Sequence, residues 1–220
     1  MGHGKYIDPF GDARSVPGMT QPVIAGLTQP VIVGLTGNLY QVQAGETLDL
    51  QFVVLPGESK DIEVKVDLCG PGAEAHLKGL YLCKADEKVN FRVVMHHRAP
   101  LCRSTQLFNG IAGGEAQVNF HGTIVVAPDA QQTEAYQENH NIVLTEQAKV
   151  NTKPQLEIYA DDVKCSHGAT VGQLNADEIF YMRSRGIPEN EAKTLQMLSF
   201  LSPVIPAGRE EEVEKAVRSL

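Results

Sequence analysis

The chain has 220 residues, 42% hydrophobic and 21% charged, enough for one sizeable core and a small second subdomain. Its 27 acidic and 19 basic residues leave a formal net charge of −8, which argues against a general nucleic-acid binder because phosphate recognition needs a positive surface. No apolar run approaches the ~20 residues that span a bilayer, no signal-peptide pattern opens the chain, and Cys69, Cys83, Cys102 and Cys165 form no C-x-x-C pair. A reducing cytoplasm, with neither membrane nor nucleic acid as partner, is the expectation.

Residues 1–40 read as an N-terminal arm. Within it Thr20–Leu27 (TQPVIAGL) is followed at once by Thr28–Leu35 (TQPVIVGL), and the repeated Pro and Gly argue against a helix. Two short strands or an extended arm are expected. Residues 41–174 read as a β core. Leu48, Leu50, Phe52 and Val54 alternate before Pro56-Gly57, and Ile62, Val64, Val66 and Leu68 alternate before Gly70-Pro71-Gly72. Leu80 and Leu82 follow, then Val89, Phe91 and Val93, then Val118, Phe120, Ile124 and Val126, then Ile142 with Leu144 and Leu156 with Ile158. Period two with Gly, Pro and Asp punctuation signifies strands. Periodicity alone does not separate a sandwich, a barrel and a parallel β-helix.

Residues 175–220 read as a helical subdomain. Asn175 or Asp177 caps a helix carrying Ile179, Phe180 and Met182, and Gly186 stands at its C′ position. Pro188 opens a second helix with Ala192, Leu195, Leu198 and Leu201 as its apolar face, ended by Pro203. A third carries Val213, Ala216, Val217 and Leu220 at spacings of three and four.

The chemistry concentrates in Asp161-Asp162-Val163-Lys164-Cys165-Ser166-His167-Gly168-Ala169-Thr170. In extended backbone Cys165 and His167 share a face, and thiolate with imidazole suits iron, copper or zinc. Lys164 nearby favours the thiolate, and Ser166 points to the opposite face and packs. One Cys and one His are too few for a closed metal site. The plainer alternatives are a turn-capping or carboxylate-bonded histidine and a small buried cysteine. His96 and His97, being adjacent, point to opposite faces, one at the surface and one structural. Cys69 and Cys83 read as core or turn residues, and Asp129 with Gln131–Thr133 as a turn between coils.

Together with Phe180-Tyr181-Met182-Arg183-Ser184-Arg185-Gly186-Ile187, this run resembles the SufB/SufD family of iron–sulfur cluster assembly proteins. Further landmarks stand in the family's order: His96/His97 with Pro100 and Cys102, Phe120–Ile124, Asp129–Thr133, Asn139–Leu144 and Pro154–Ile158. The resemblance covers residues ~60–220 and is sharpest from Val118 to Phe200, and the CSHGATVG wording resembles SufD. It implies a mainly β fold, a right-handed parallel β-helix core with a small C-terminal helical subdomain. It also implies a scaffold subunit rather than an enzyme. The expected partners are a SufB-like subunit, a SufC-like ABC ATPase and, as an option, a second copy in a homodimer. The cofactor implied is a transient iron–sulfur cluster shared with the partner, with His167 and Cys165 as candidate metal ligands and Cys102 as a candidate sulfur-handling thiol. Phe180, Tyr181, Arg183, Arg185, Gly186 and Ile187 are the candidate docking residues for the ATPase, aromatic and guanidinium groups being enriched at interface hot spots. Family members usually carry a longer, largely helical N-terminal region, which is expected to be lacking here. No Walker A pattern occurs, so this chain is expected to bind no nucleotide. The alternatives are a SufB-type primary scaffold or self-sufficient homodimer and, from another class, a β-helical or cupin-like metal enzyme using His96, His97 or His121. A purely structural solenoid remains as well.

Overall fold

A computed structural model of the chain describes residues 23–24, 31–32, 38–57 and 59–220. Among the described residues twelve strands come first: Val23–Ile24 (β1), Val31–Ile32 (β2), Asn38–Val42 (β3), Thr47–Val54 (β4), Lys60–Leu68 (β5), Glu74–Cys83 (β6), Lys88–His97 (β7), Arg103–Ala112 (β8), Gln117–Val126 (β9), Thr133–Val143 (β10), Lys149–Ile158 (β11) and Val163–Gly172 (β12). Helices Ala176–Ser184 (α1), Glu189–Leu201 (α2) and Glu210–Val217 (α3) follow, with a short 3₁₀ turn at Ser202–Val204.

Odd-numbered strands form one six-stranded sheet in the order β1-β3-β5-β7-β9-β11, and even-numbered strands the other, from β2 to β12. Every pairing is parallel. The chain therefore winds as a parallel β-solenoid of about 5 turns, each coil adding one strand to each sheet. Neighbours across coils lie 29 residues apart at His76 and Thr105 and 31 apart at Gln106 and Gln137. Val23–Ile24 and Val31–Ile32 are equivalent positions of the tandem duplication, and each begins one of the two sheets. Of the arm expected over residues 1–40, residues 38–40 belong to β3, and residues 1–22, 25–30 and 33–37 lie outside the described residues.

In-register stacking turns the alternation of each strand into continuous columns. Ile62, Phe91 and Phe120 stack on one sheet. Facing them, Phe52, Gly79 and Phe108 stack on the other. Phe108 meets Phe120 at 4.9 Å and Phe91 at 5.5 Å between ring centroids, within the range where aromatic pairs attract beyond simple burial. Two glycines make room for this packing. A Cβ on Gly79 would overlap the Phe108 ring, and one on Gly110 would overlap Tyr81.

Leu80 and Leu82 point out of the solenoid rather than into it. They join Ile111, Met197, Leu201, Val204, Val213 and Val217 in a second core under the helices, while Tyr81 and Cys83 face the solenoid interior. The even sheet is thus buried on both faces there. The buried side of α2 is Ala192, Thr194, Met197 and Leu201, and Leu195 is 42% exposed. Of the face expected from Ala192, Leu195, Leu198 and Leu201, Ala192 and Leu201 are buried and Leu198 packs against the second core, and Leu195 is the exception. Thr194 is accepted on the buried side because its hydroxyl donates to the Asn190 carbonyl at 2.9 Å, removing the cost of burying it.

His96 and His97 are both fully buried, which corrects the expectation of one surface histidine. His97 Nε2 lies 2.9 Å from Ser104 Oγ inside the solenoid. On the other face of the strand, His96 Nδ1 lies 3.8 Å from the Asp67 carboxylate, which Arg98 Nε also holds at 2.6 Å. Polar partners on each side make the double burial tolerable.

Candidate functional site: the open rim of the solenoid

β12 is the last strand of its sheet and β11 the last of the other. Among the described residues no strand pairs with their outer edges, so each presents a row of backbone donors and acceptors. At the opposite end the described residues place two residues each in β1 and β2.

Register decides which side chains face this rim. Cys165 pairs with Ala135 and His167 with Gln137, and both partners are buried inside the solenoid. Cys165 and His167 therefore point along the solenoid interior, as period two requires. With no coil above them, Cys165 is half-buried and His167 exposed. Val171 shares their face and is 48% exposed. Across the rim, β11 presents Val150, Thr152, Pro154 and Leu156, each only half-buried. This is a slice through a hydrophobic core left uncovered.

Lys164 does not act on Cys165. Its ammonium points outward and pairs with Glu134 at 2.9 Å, which holds the Glu134 carboxyl below the usual range and raises Lys164. Burial pushes the Cys165 thiol up, opposed in part by a backbone hydrogen bond at Ala135. The expectation that Lys164 favours the thiolate is corrected accordingly: the ammonium is engaged by Glu134, and burial disfavours the thiolate of Cys165. Ser166 faces outward and is exposed rather than packed.

Cys102 is not brought to the rim. It sits at the corner before β8, buried, with Sγ 3.3 Å from the Gly70 carbonyl oxygen, and burial raises its thiol. One intervening strand, β10, separates β8 from β12. Cys83 is buried at the end of β6 with its thiol pushed up to about 12, and the Cys69 thiol in a turn is pushed up to about 11, burial being the main cause for both. Gln131 builds the expected corner, donating from Nε2 to Pro128 O at 3.0 Å and accepting from the Asp162 N–H at 2.9 Å. His121 lies on the outer face of the odd sheet, between Arg92 and Lys153. Among the described residues no three His, Cys, Asp or Glu side chains converge as a metal site.

A second exposed feature is α1. Asn175 caps it by accepting from the Asp177 and Glu178 N–H groups, and Gly186 (φ +87) ends it, donating to the Arg183 carbonyl at 2.9 Å. The helix buries none of its residues. Phe180 is 72% and Tyr181 59% exposed, and the Arg185 guanidinium lies 5.1 Å from the Tyr181 ring centroid. Arg183 pairs with Glu189 at 3.3 Å, and Ile187 is half-buried.

Residue spacing alone did not reveal the polar interior beneath His167. Gln106, Gln137, Asn139 and Asn141 are all buried. The last three carry a signal in the sequence, amides at alternate positions of TEAYQENHNIV on one face of β10; Gln106 lies on β8.

Among the described residues, fold and rim together define a two-sheet parallel β-solenoid whose β11 and β12 edges are unpaired. The family model for the SufBD core domain of the SUF system of iron–sulfur cluster assembly matches residues 32–200. The iron–sulfur cluster assembly protein SufD of Escherichia coli (strain K12) is 38% identical over 150 residues, covering 68% of this chain and 36% of that protein. SufD of Bacillus subtilis (strain 168) is 30% identical over 158 residues, 72% of this chain and 36% of the relative. A SufBD family protein of Synechocystis is 44% identical over 113 residues, 51% of this chain and 24% of the relative. The chain belongs to the SufB/SufD family and is most like SufD. It spans little more than a third of the length of the two SufD relatives, and less of the third.

Proposed function

We propose that the chain is a SufD-type scaffold subunit for iron–sulfur cluster assembly, working by association rather than by catalysis of its own. The observation that carries this reading is the open rim: two unpaired parallel edges enclosing an exposed core with Cys165 and His167 on its inward face. An end of this kind is completed by strands of a second solenoid, through main-chain pairing at the edges and apolar contact between them. A SufB-like subunit is the partner proposed. Cargo iron and sulfide, or the cluster they form, would lie between the two rims with His167, and Cys165 once deprotonated, as ligands from this side. With only two such groups here, the rest of the ligand set belongs to the partner. Exposed Phe180 and Tyr181, with Arg183 on the same helix and Arg185 at its C-cap, support α1 as the docking element for a SufC-like ATPase, whose nucleotide cycle would open the rim contact. A cytoplasmic setting suits this chemistry. Among the described residues no helix is long and apolar enough to cross a membrane.

The test is anaerobic co-expression with SufB- and SufC-like proteins, followed by iron and acid-labile sulfide analysis of the purified complex. His167→Ala should keep both partners and lower iron several-fold. Unchanged iron would remove His167 from the site, and failure to retain either partner would sink the scaffold reading. Iron-loaded dimers of this chain alone would favour a self-sufficient homodimer.

A further inference from the structure

The interior loses its apolar character toward the rim. One inward column of the even sheet reads Leu50, Leu77, Gln106, Gln137, His167, in register from β4 to β12. Gln106 and Gln137 are 2% and 1% exposed, so two amides are sealed where the earlier coils carry leucines. Stability does not explain the exchange, because a buried amide group left without a partner is destabilising.

The hydrogen bonding has a direction. Gln137 Nε2 donates to Gln106 Oε1 at 2.9 Å. Gln106 Nε2 and Gln137 Oε1, the two ends of this short ladder, are buried without a partner. The unpartnered donor stands next to Leu77, which has nothing to accept it. The unpartnered acceptor stands one register step from His167. The same polarity occurs outside the solenoid, where Asn119 donates to Asn90 at 2.8 Å and Asn90 to Asp61. Gly122, across the interior, keeps the space: a Cβ there would overlap the Gln137 amide.

We propose that Gln137 is a positioning residue for His167. The structure leaves Gln137 Oε1 unpartnered; once the His167 ring turns toward it, this oxygen accepts one ring N–H, fixes a single tautomer and leaves the other ring nitrogen free. A metal-binding histidine needs that arrangement, one nitrogen tied to an acceptor and the other free to ligate. Gln106 sets the direction by engaging the Gln137 amino group. The value of this arrangement to the protein rests on the proposed function, but the tautomer preference tested below does not.

The experiment is ¹⁵N NMR of the His167 ring in the metal-free chain at alkaline pH, where an imidazole is neutral and its two tautomers are distinguishable. The wild type should show one dominant tautomer. Gln137→Leu, which continues the Leu50–Leu77 column, should keep the fold and populate both tautomers. Gln137→Asn, which draws the acceptor back by one methylene, should do the same and serves if the leucine variant does not fold. A mixed wild type, or a single tautomer retained in the folded variants, would overturn the assignment. A Gln137-dependent tautomer combined with normal iron in His167→Ala would leave the positioning intact and reject the cluster-ligand reading instead.

Discussion

His97 shows how an interior position can set a pH response. Burial lowers its pKa from 6.5 to about 3, with His96 beside it acting in the same direction. The folded state therefore keeps the ring neutral where the unfolded chain takes up a proton. Between about 6.5 and 3 the unfolded state holds more protons, so stability is lost as pH falls through that window and is fully present above it. The slope from this one group is at most about 1.4 kcal/mol per pH unit. Urea midpoints for wild type and His97→Gln should converge as pH drops from 7.5 to 4, because the variant lacks this linkage. A constant gap between them would mean that His97 does not stay neutral in the fold. The residue is legible in the sequence as one of an adjacent pair on opposite faces. Its burial is not, because that depends on Ser104, which only the coil brings to Nε2.

At the scale of the element, α1 and β8 were legible to opposite extents. Asn175, Phe180 and Gly186 announce a capped helix through local rules, and the cap forms as those rules require. β8 escapes the same reading because Arg103–Ala112 carries Ser104, Gln106 and Asn109 at buried positions. Polar residues there break the apolar alternation although the strand is central. What makes it a strand is pairing with β6 and β10, a property of neighbours about one coil away rather than of the segment. The exposure of α1 predicts a separation of effects. Phe180→Ala and Tyr181→Ala should leave unfolding stability within ~0.5 kcal/mol while weakening retention of a SufC-like partner about tenfold or more. Thermal unfolding alongside co-purification checks both halves. A large stability loss would show these rings to be packing residues.

For the molecule as a whole, the dominant feature among the described residues is the rim whose edges no strand pairs, and the association proposed for it is tested at Val171. Val171 is half-exposed on the inward face of β12, so Val171→Glu should cost the isolated chain little and put an unpaired charge into any apolar contact made there. Size-exclusion chromatography with a SufB-like partner should show the variant eluting alone, and a stable complex would place the interface elsewhere. The sequence by itself determined the strands with clean alternation, the helical tail and, through CSHGATVG and FYMRSRGI, the family, because period and motif are local properties carried by the residues themselves. Only the tertiary structure decided that Leu80 and Leu82 face the helices, that β8 is a strand, that Cys102 lies apart from Cys165, and that Gln106 and Gln137 stand in one column behind His167. Those facts follow from in-register stacking of residues about one coil apart, and a sequence read along its length cannot register a contact set by winding.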